Sequence, residues 1–260
     1  MDFLERCIKL KSVGVGILLM LLIMVCYEYN HSIFFLINGN QLEIFNNTAN
    51  YITQLGDGMT AVIICLLLWF KSPRRAFAGI IALIILTIIV QSVKSYFYLP
   101  RPVTVFGDEV NVIGEVLRHR SFPSGHSATI MAIARVLWGA FRSWVNLLLL
   151  LVILLVGLSR VYIGVHFPLD AAVGFMVGWL SAELALYIAG KIDRPTGFLW
   201  NRISWRIVLG LLFIGAIISC FFYTKPGAEG FYIFLGIVSG ITAIFIFFRS
   251  NISKQLPPKG

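Results

Sequence analysis

The chain has 260 residues, a mean hydropathy of +0.87 and only 13% charged side chains. Soluble domains carry about 25%, so the composition excludes a water-soluble globular protein, and length does not count domains. The net charge of +9 does not point to nucleic acid, because the basic residues form no single run and most follow the positive-inside rule of membrane proteins.

Residues 13–29 form a first apolar span, preceded by Arg6, Lys9 and Lys11. No small-x-small cleavage site follows it, so it reads as a retained helix rather than a signal peptide. Residues 30–57 mix Asn, Gln and Thr with Phe34, Phe35, Leu36, Ile44 and Phe45. This stretch is too polar to span and reads as one or two amphipathic helices at the interface. A plain loop is the alternative for its first half. Residues 58–70 are short against the roughly 20 residues a span needs. Adding Tyr51 to Asp57 lengthens the helix, and Lys71, Arg74 and Arg75 close it.

Residues 76–98 form a third span with Lys94 near its end, followed by a charged loop, 99–122, containing Pro100 and Pro102. Spans four and five are 124–141 and 143–160, separated by a short turn at Arg142. A brief loop, 161–166, leads to span six, 167–190. Beyond a polar, basic stretch (191–204), residues 205–223 and 231–248 read as spans seven and eight. A turn with Lys225-Pro226-Gly227 joins them, and a basic tail follows. The predicted fold is all-α, a polytopic membrane helix bundle. Cys7, Cys26, Cys65 and Cys220 are scattered singly, without metal-ligand or disulfide spacing. They read as small apolar residues.

Eight spans put both termini on one side. Fourteen of the 21 Lys and Arg residues flank that side, against Lys94, Arg101, Arg118, Arg120, Arg160 and Lys225 on the other. The asymmetry predicts cytoplasmic termini. Five of the six outer cations lie in or beside three polar clusters, all on the extracytoplasmic side. These are Lys94-x6-Arg101-Pro102, Pro123-Ser124-Gly125-His126, and Ser159-Arg160-x5-His166-x3-Asp170. Ionisable groups so close to hydrocarbon are functional suspects.

Lys94 and Arg101 are seven apart, which is one face if the helix continues that far. Two such cations suit an anion with several oxygens; snorkelling to the headgroups is the other reading of Lys94. Ser124 and Gly125 open span four, where helix N–H groups can bind an anion and Ser124 can cap. His126 lies in the first turn. Arg160 adds a third cation. His166 and Asp170, four apart, are predicted to share a face of span six, where the carboxylate would fix the imidazole tautomer. The surrounding cations favour a bound anion over a metal held by His126, His166 and Asp170.

These clusters together resemble the signature of the type-2 phosphatidic acid phosphatase superfamily, which reads K-x6-RP, PSGH and SR-x5-H-x3-D. Every named position is matched, in order, and the resemblance covers roughly residues 59–187. The eight spans point to its integral lipid-phosphatase branch, of phosphatidylglycerophosphate phosphatase B type. The resemblance implies a six-helix phosphatase core, 1–190 with the interfacial segment 30–57. Two additional transmembrane helices and the tail would occupy 191–260. It implies that His166 attacks phosphorus, Asp170 orients it and His126 protonates the leaving oxygen. Lys94, Arg101, Ser124, Gly125 and Arg160 would hold the phosphate. No metal and no cofactor are implied. Arg118 and Arg120 could meet a second phosphate or a headgroup, or tether the loop to anionic lipid.

The expected activity is hydrolysis of a lipid phosphate or diphosphate, with polyprenyl diphosphate, phosphatidylglycerophosphate, phosphatidate and lipid A as candidates. Transfer of the phosphate to a lipid acceptor is the alternative, and a non-enzymatic binder or transporter is a third class. The expected setting is a bacterial cytoplasmic membrane with the site facing outward. Oligomeric state is left open.

Overall fold

The computed structural model describes residues 3–193, 213–220, 222 and 228–255. Its helices are α1 (Phe3–Glu28), α2 (Asn30–Asn38), α3 (Glu43–Gln54), α4 (Gly58–Trp69) and α5 (Pro73–Phe97). They continue with α6 (Pro102–Phe106), α7 (Gly125–Leu137), α8 (Ser143–Tyr162), α9 (Pro168–Asp193) and α10 (Glu229–Gln255). No strand occurs among the described residues; one isolated bridge pairs Pro100 with His119. The all-α membrane bundle expected from the sequence is what forms.

Helices satisfy their own backbone polar groups, which hydrocarbon cannot do for them. By length and composition α5, α8 and α9 can cross a bilayer, and α1/α2 and α3/α4 can do so as pairs bent by 83° and 53°. Leu147, Leu151, Leu154 and Leu158 recur on one face of α8, and all are exposed. Such a stripe suits lipid tails. The interior uses small residues instead: Ala78 and Ala82 of α5, Ala128 and Ala132 of α7, and Ala182 and Ala185 of α9 are buried together. Small residues let helices approach closely where no hydrophobic effect drives them together. Helix α9 is the hub, packing on α5, α7, α1 and α8.

Several boundaries differ from the sequence reading. The segment 30–57 is two helices, but they do not simply lie at the interface. Phe34 of α2 is fully buried against Val161 and Phe167, and α3 packs on α8. The join of α3 to α4 is a bend rather than one lengthened helix, because Asp57 is extended and caps Met59 N–H at 2.9 Å. Helix α7 ends at Leu137, short of the expected 141, since Trp138 leaves the helical region at ψ 122° and Gly139 turns left-handed at φ 72°. The seventh span is described only at 213–220 and 222, where it is helical. Most of 191–204, the Lys225-Pro226-Gly227 turn and the end of the tail lie outside the described residues. Cys26, Cys65 and Cys220 are buried free thiols.

Candidate active site

Helix α5 stops at Tyr98, a left-handed cap at φ 47° whose N–H still bonds Lys94 O. It does not reach Arg101, so the expectation of Lys94 and Arg101 on one helical face is corrected. The two meet because the chain turns and runs beside 118–121. Arg101 N–H donates to Arg118 O at 2.9 Å and Ser121 N–H to Leu99 O at 3.1 Å. Pro102, with no N–H to give, then opens α6.

The loop's carbonyls aim the two cations. Lys94 Nζ donates to Arg120 O at 2.7 Å. Arg101 is buried; its Nε donates to His119 O at 2.9 Å, Nη1 to Val165 O at 2.9 Å and Nη2 to Arg120 O at 3.4 Å. A guanidinium has five N–H donors, so carbonyls that fix its plane leave donors for an anion.

Ser124 is the N-cap of α7, with Ser127 N–H and Ser127 Oγ donating to its Oγ at 3.4 and 3.0 Å. The capping reading of Ser124 therefore holds. Its own N–H donates to Asp170 O at 2.9 Å. This contact needs Gly174 of α9: a Cβ there would stand 2.5 Å from Ser124 O. Gly125 and His126 form the first turn of α7, and His126 is part-buried.

Arg160 closes α8 and is buried. Its Nη1 donates to Thr53 Oγ1 at 2.7 Å. Its Nε is buried with no hydrogen-bond partner, one of two such side-chain atoms among the described residues. An unsatisfied buried donor on a cation asks for an explanation, and a bound anion supplies one.

Helix α9 begins at Pro168, so His166 precedes the helix and does not share a face of it with Asp170. They meet because Asp170, in the first turn, reaches back. Its Oδ2 lies 3.3 Å from His166 Nδ1, 2.9 Å from Phe167 N and 2.5 Å from Ser121 Oγ. One carboxylate oxygen thus collects three neighbours, and Nδ1 is the ring nitrogen it engages. His166 lies in the connection between α8 and α9, outside both helices. Burial, then the charges of Arg101, Arg160 and Lys94, hold its pKa well below the histidine value of 6.5. The ring is neutral at neutral pH, and the carboxylate orients it without charging it.

The three clusters therefore converge on His166, which feels Arg101, Arg160, Lys94 and His126 together. Arg118 and Arg120 are exposed at the rim; Arg120 Nη2 donates to Ser95 Oγ at 3.0 Å. It is the loop's carbonyls that touch the inner cations. The sequence reading missed Ser121, Thr53 and Asp57, the last 3.9 Å from His126 Nε2 through Oδ2. They sit outside the three clusters, and only the folded chain brings them in.

The model of the family described as PAP2 superfamily matches residues 76–194, the stretch that contains all three clusters. The chain aligns with the crystal structure of Aquifex aeolicus LpxE at a TM-score of 0.58 and 32% identity, covering 61% of this chain and 94% of that one. The chain belongs to the PAP2 superfamily. It is a membrane phosphatase of that family, and its cationic site suits phosphorylated lipids. Over 155 residues it is 28% identical to an undecaprenyl-diphosphatase of Sulfolobus acidocaldarius, covering 59% of this chain and 75% of the relative. A transmembrane PAP2 type phosphatidylglycerolphosphate phosphatase from Bacillus subtilis aligns at a TM-score of 0.53 and 23% identity, over 71% of this chain and 98% of that one. That likeness speaks for the PAP2 fold alone.

Proposed function

We propose that the protein hydrolyses a polyprenyl diphosphate or a related lipid phosphate through a phosphohistidine on His166. The observation that carries this reading is the buried, unpartnered Nε of Arg160, in a pocket where Arg101 and Lys94 also surround a neutral His166. Phosphoryl transfer needs in-line placement and spread positive charge more than new covalent chemistry. With Nδ1 facing Asp170, His166 would attack phosphorus through Nε2. The bond from the attacked phosphorus to its leaving oxygen breaks as the P–N bond forms (the P–O–P bridge of a diphosphate, expelling the lipid monophosphate, or the P–O–C ester of a monophosphate), and His126 gives that leaving oxygen its proton. Water, activated by the now neutral His126, then cleaves the P–N bond and releases phosphate. Lys94, Arg101 and Arg160, with Ser124 and the Gly125 N–H, would hold the non-bridging oxygens.

The similarity to an undecaprenyl-diphosphatase and the exposed arginines Arg118 and Arg120 support a diphosphate as first candidate. Phosphatidylglycerophosphate, phosphatidate and lipid A remain in the same chemical class. The charge asymmetry supports cytoplasmic termini and a site on the extracytoplasmic face. Residues 1–190 would form the catalytic core. The contact of Tyr232 Oη with Gln54 Oε1 at 2.8 Å supports a bracing role for the C-terminal helices.

The test is phosphate release by detergent-purified protein in excess EDTA across the four lipids, beside His166→Ala. Release that survives EDTA and vanishes in the variant supports the reading, with the diphosphate fastest. Release retained by the variant overturns it. Phosphate that appears on an added lipid and not in solution would make the protein a phosphotransferase.

A further inference from the structure

We propose that Asp57 is a positioning residue for the proton donor His126. This rests on the donor role given to His126 above. The bend between α3 and α4 carries Asp57 against the first turn of α7. The approach is close: a Cβ on Gly56 would stand 2.7 Å from His126 O and 3.0 Å from His126 Cβ. A glycine is what lets the bend lie there.

The two oxygens of Asp57 divide their work. Oδ1 accepts from Met59 N–H at 2.9 Å and caps α4. Oδ2 faces His126 Nε2 at 3.9 Å, with the Asp57 side chain 7% and the His126 side chain 22% exposed. A buried carboxylate at that distance favours the imidazolium over the imidazole. It also offsets Arg101, Arg160 and Lys94, whose charges act together with that of His126 on the neighbouring, neutral His166. A carboxylate facing the ring supplies the counter-charge that a protonated donor needs in a site otherwise rich in cations. The site thus holds two histidines with opposite needs. His166, beside Asp170, stays neutral to attack; His126, beside Asp57, keeps a proton to give. Separate carboxylates serve them.

The bend is braced from both sides. Thr60 Oγ1 donates to Gln54 O at 2.8 Å, and Tyr232 of α10 donates to Gln54 Oε1. Asp57 is also near enough to act on Arg160, so a purely electrostatic role toward the phosphate, and a purely capping role, are the readings to separate.

Leaving-group chemistry separates them. A proton donor matters most when the leaving oxygen is a poor one, as in an alkyl phosphate, and least for 4-nitrophenolate. The full-length protein in detergent is assayed with dodecyl phosphate and 4-nitrophenyl phosphate. The variants are His126→Ala, Asp57→Asn and Asp57→Ser. Asn and Ser both remain good N-caps, so capping is retained and only the charge is lost, and two variants guard against misfolding of one. The expected result is a loss of kcat/KM about tenfold or more greater for the alkyl than for the aryl ester in the Asp57 variants. In addition, Asp57→Asn should cause little further loss when combined with His126→Ala. Equal losses on both esters, or no loss, would overturn the pairing. His126→Ala keeps the two claims apart. If that variant shows no leaving-group split, the donor role itself fails. If it shows the split and the Asp57 variants do not, only the pairing with Asp57 fails.

Discussion

Asp170 Oδ2 lies 3.3 Å from His166 Nδ1 and receives the Ser121 hydroxyl on the same oxygen. The neighbour of the proposed nucleophile is thus itself held from outside the three sequence clusters. A hydrogen bond to a charged group contributes about 1.5–3 kcal/mol. Ser121→Ala should therefore lower kcat about tenfold or more and cost some stability as well, since the bond lost is a buried one. Steady-state kinetics on the purified variant check this, and unchanged kcat would mean that Asp170 needs no help to hold the ring.

Thr53 holds Arg160 from α3 through Nη1. Thr53→Val keeps the shape and removes the acceptor, leaving a second buried donor of Arg160 unsatisfied at a cost of about 1–3 kcal/mol. Inorganic phosphate should inhibit the variant roughly 5- to 100-fold more weakly. Inhibition constants at fixed pH give the answer.

The pH dependence has a definite sign. His166 is held below its usual value of 6.5 by burial and by Arg101, Arg160 and Lys94, so the free enzyme keeps a neutral nucleophile below that pH. The acid limb of kcat/KM due to His166 should lie under 6.5. Lys94→Ala removes one positive neighbour, lets the ring protonate more readily and should move that limb to higher pH. Stability follows the same linkage. The unfolded chain takes up a proton near 6.5 and the folded one only at lower pH, so stability falls as pH drops through 6.5. A limb that moves to lower pH in Lys94→Ala would contradict the assignment.

Arg120 is exposed, and its guanidinium reaches Ser95 rather than the pocket's interior. If it meets the second phosphate of a diphosphate, Arg120→Ala should lower turnover of the diphosphate about tenfold relative to the matching monophosphate. Equal effects on both would assign it to the loop or to anionic lipid.

Much of this was legible in the chain because hydropathy and motif spacing are local. The long apolar runs marked α5, α8 and α9, and the three clusters named the residues that surround His166. What stayed hidden depends on where helices stop. The expected span stopped at 98, so a shared face of Lys94 and Arg101 held only if the helix ran on; nothing in the residues around Tyr98 announces the left-handed cap that puts the two across a turn instead. The expected span six already began beyond His166, so the spacing of four between His166 and Asp170 is not a helical one; α9 opens at Pro168 and Asp170 reaches back. Thr53, Asp57 and Ser121 carry no spacing that ties them to Arg160, His126 and Asp170. Their contacts cross 107, 69 and 49 positions of the chain, and only packing makes them partners.

The central claim is that His166 carries the phosphoryl group. The direct measurement is a rapid quench into base, where phosphohistidine survives, after mixing the protein with a 32P-labelled lipid diphosphate, followed by peptide mapping. The account predicts label on the peptide containing His166, formed as fast as turnover requires and absent from His166→Ala. Full turnover with no label on that peptide, or label that persists in His166→Ala, would contradict it.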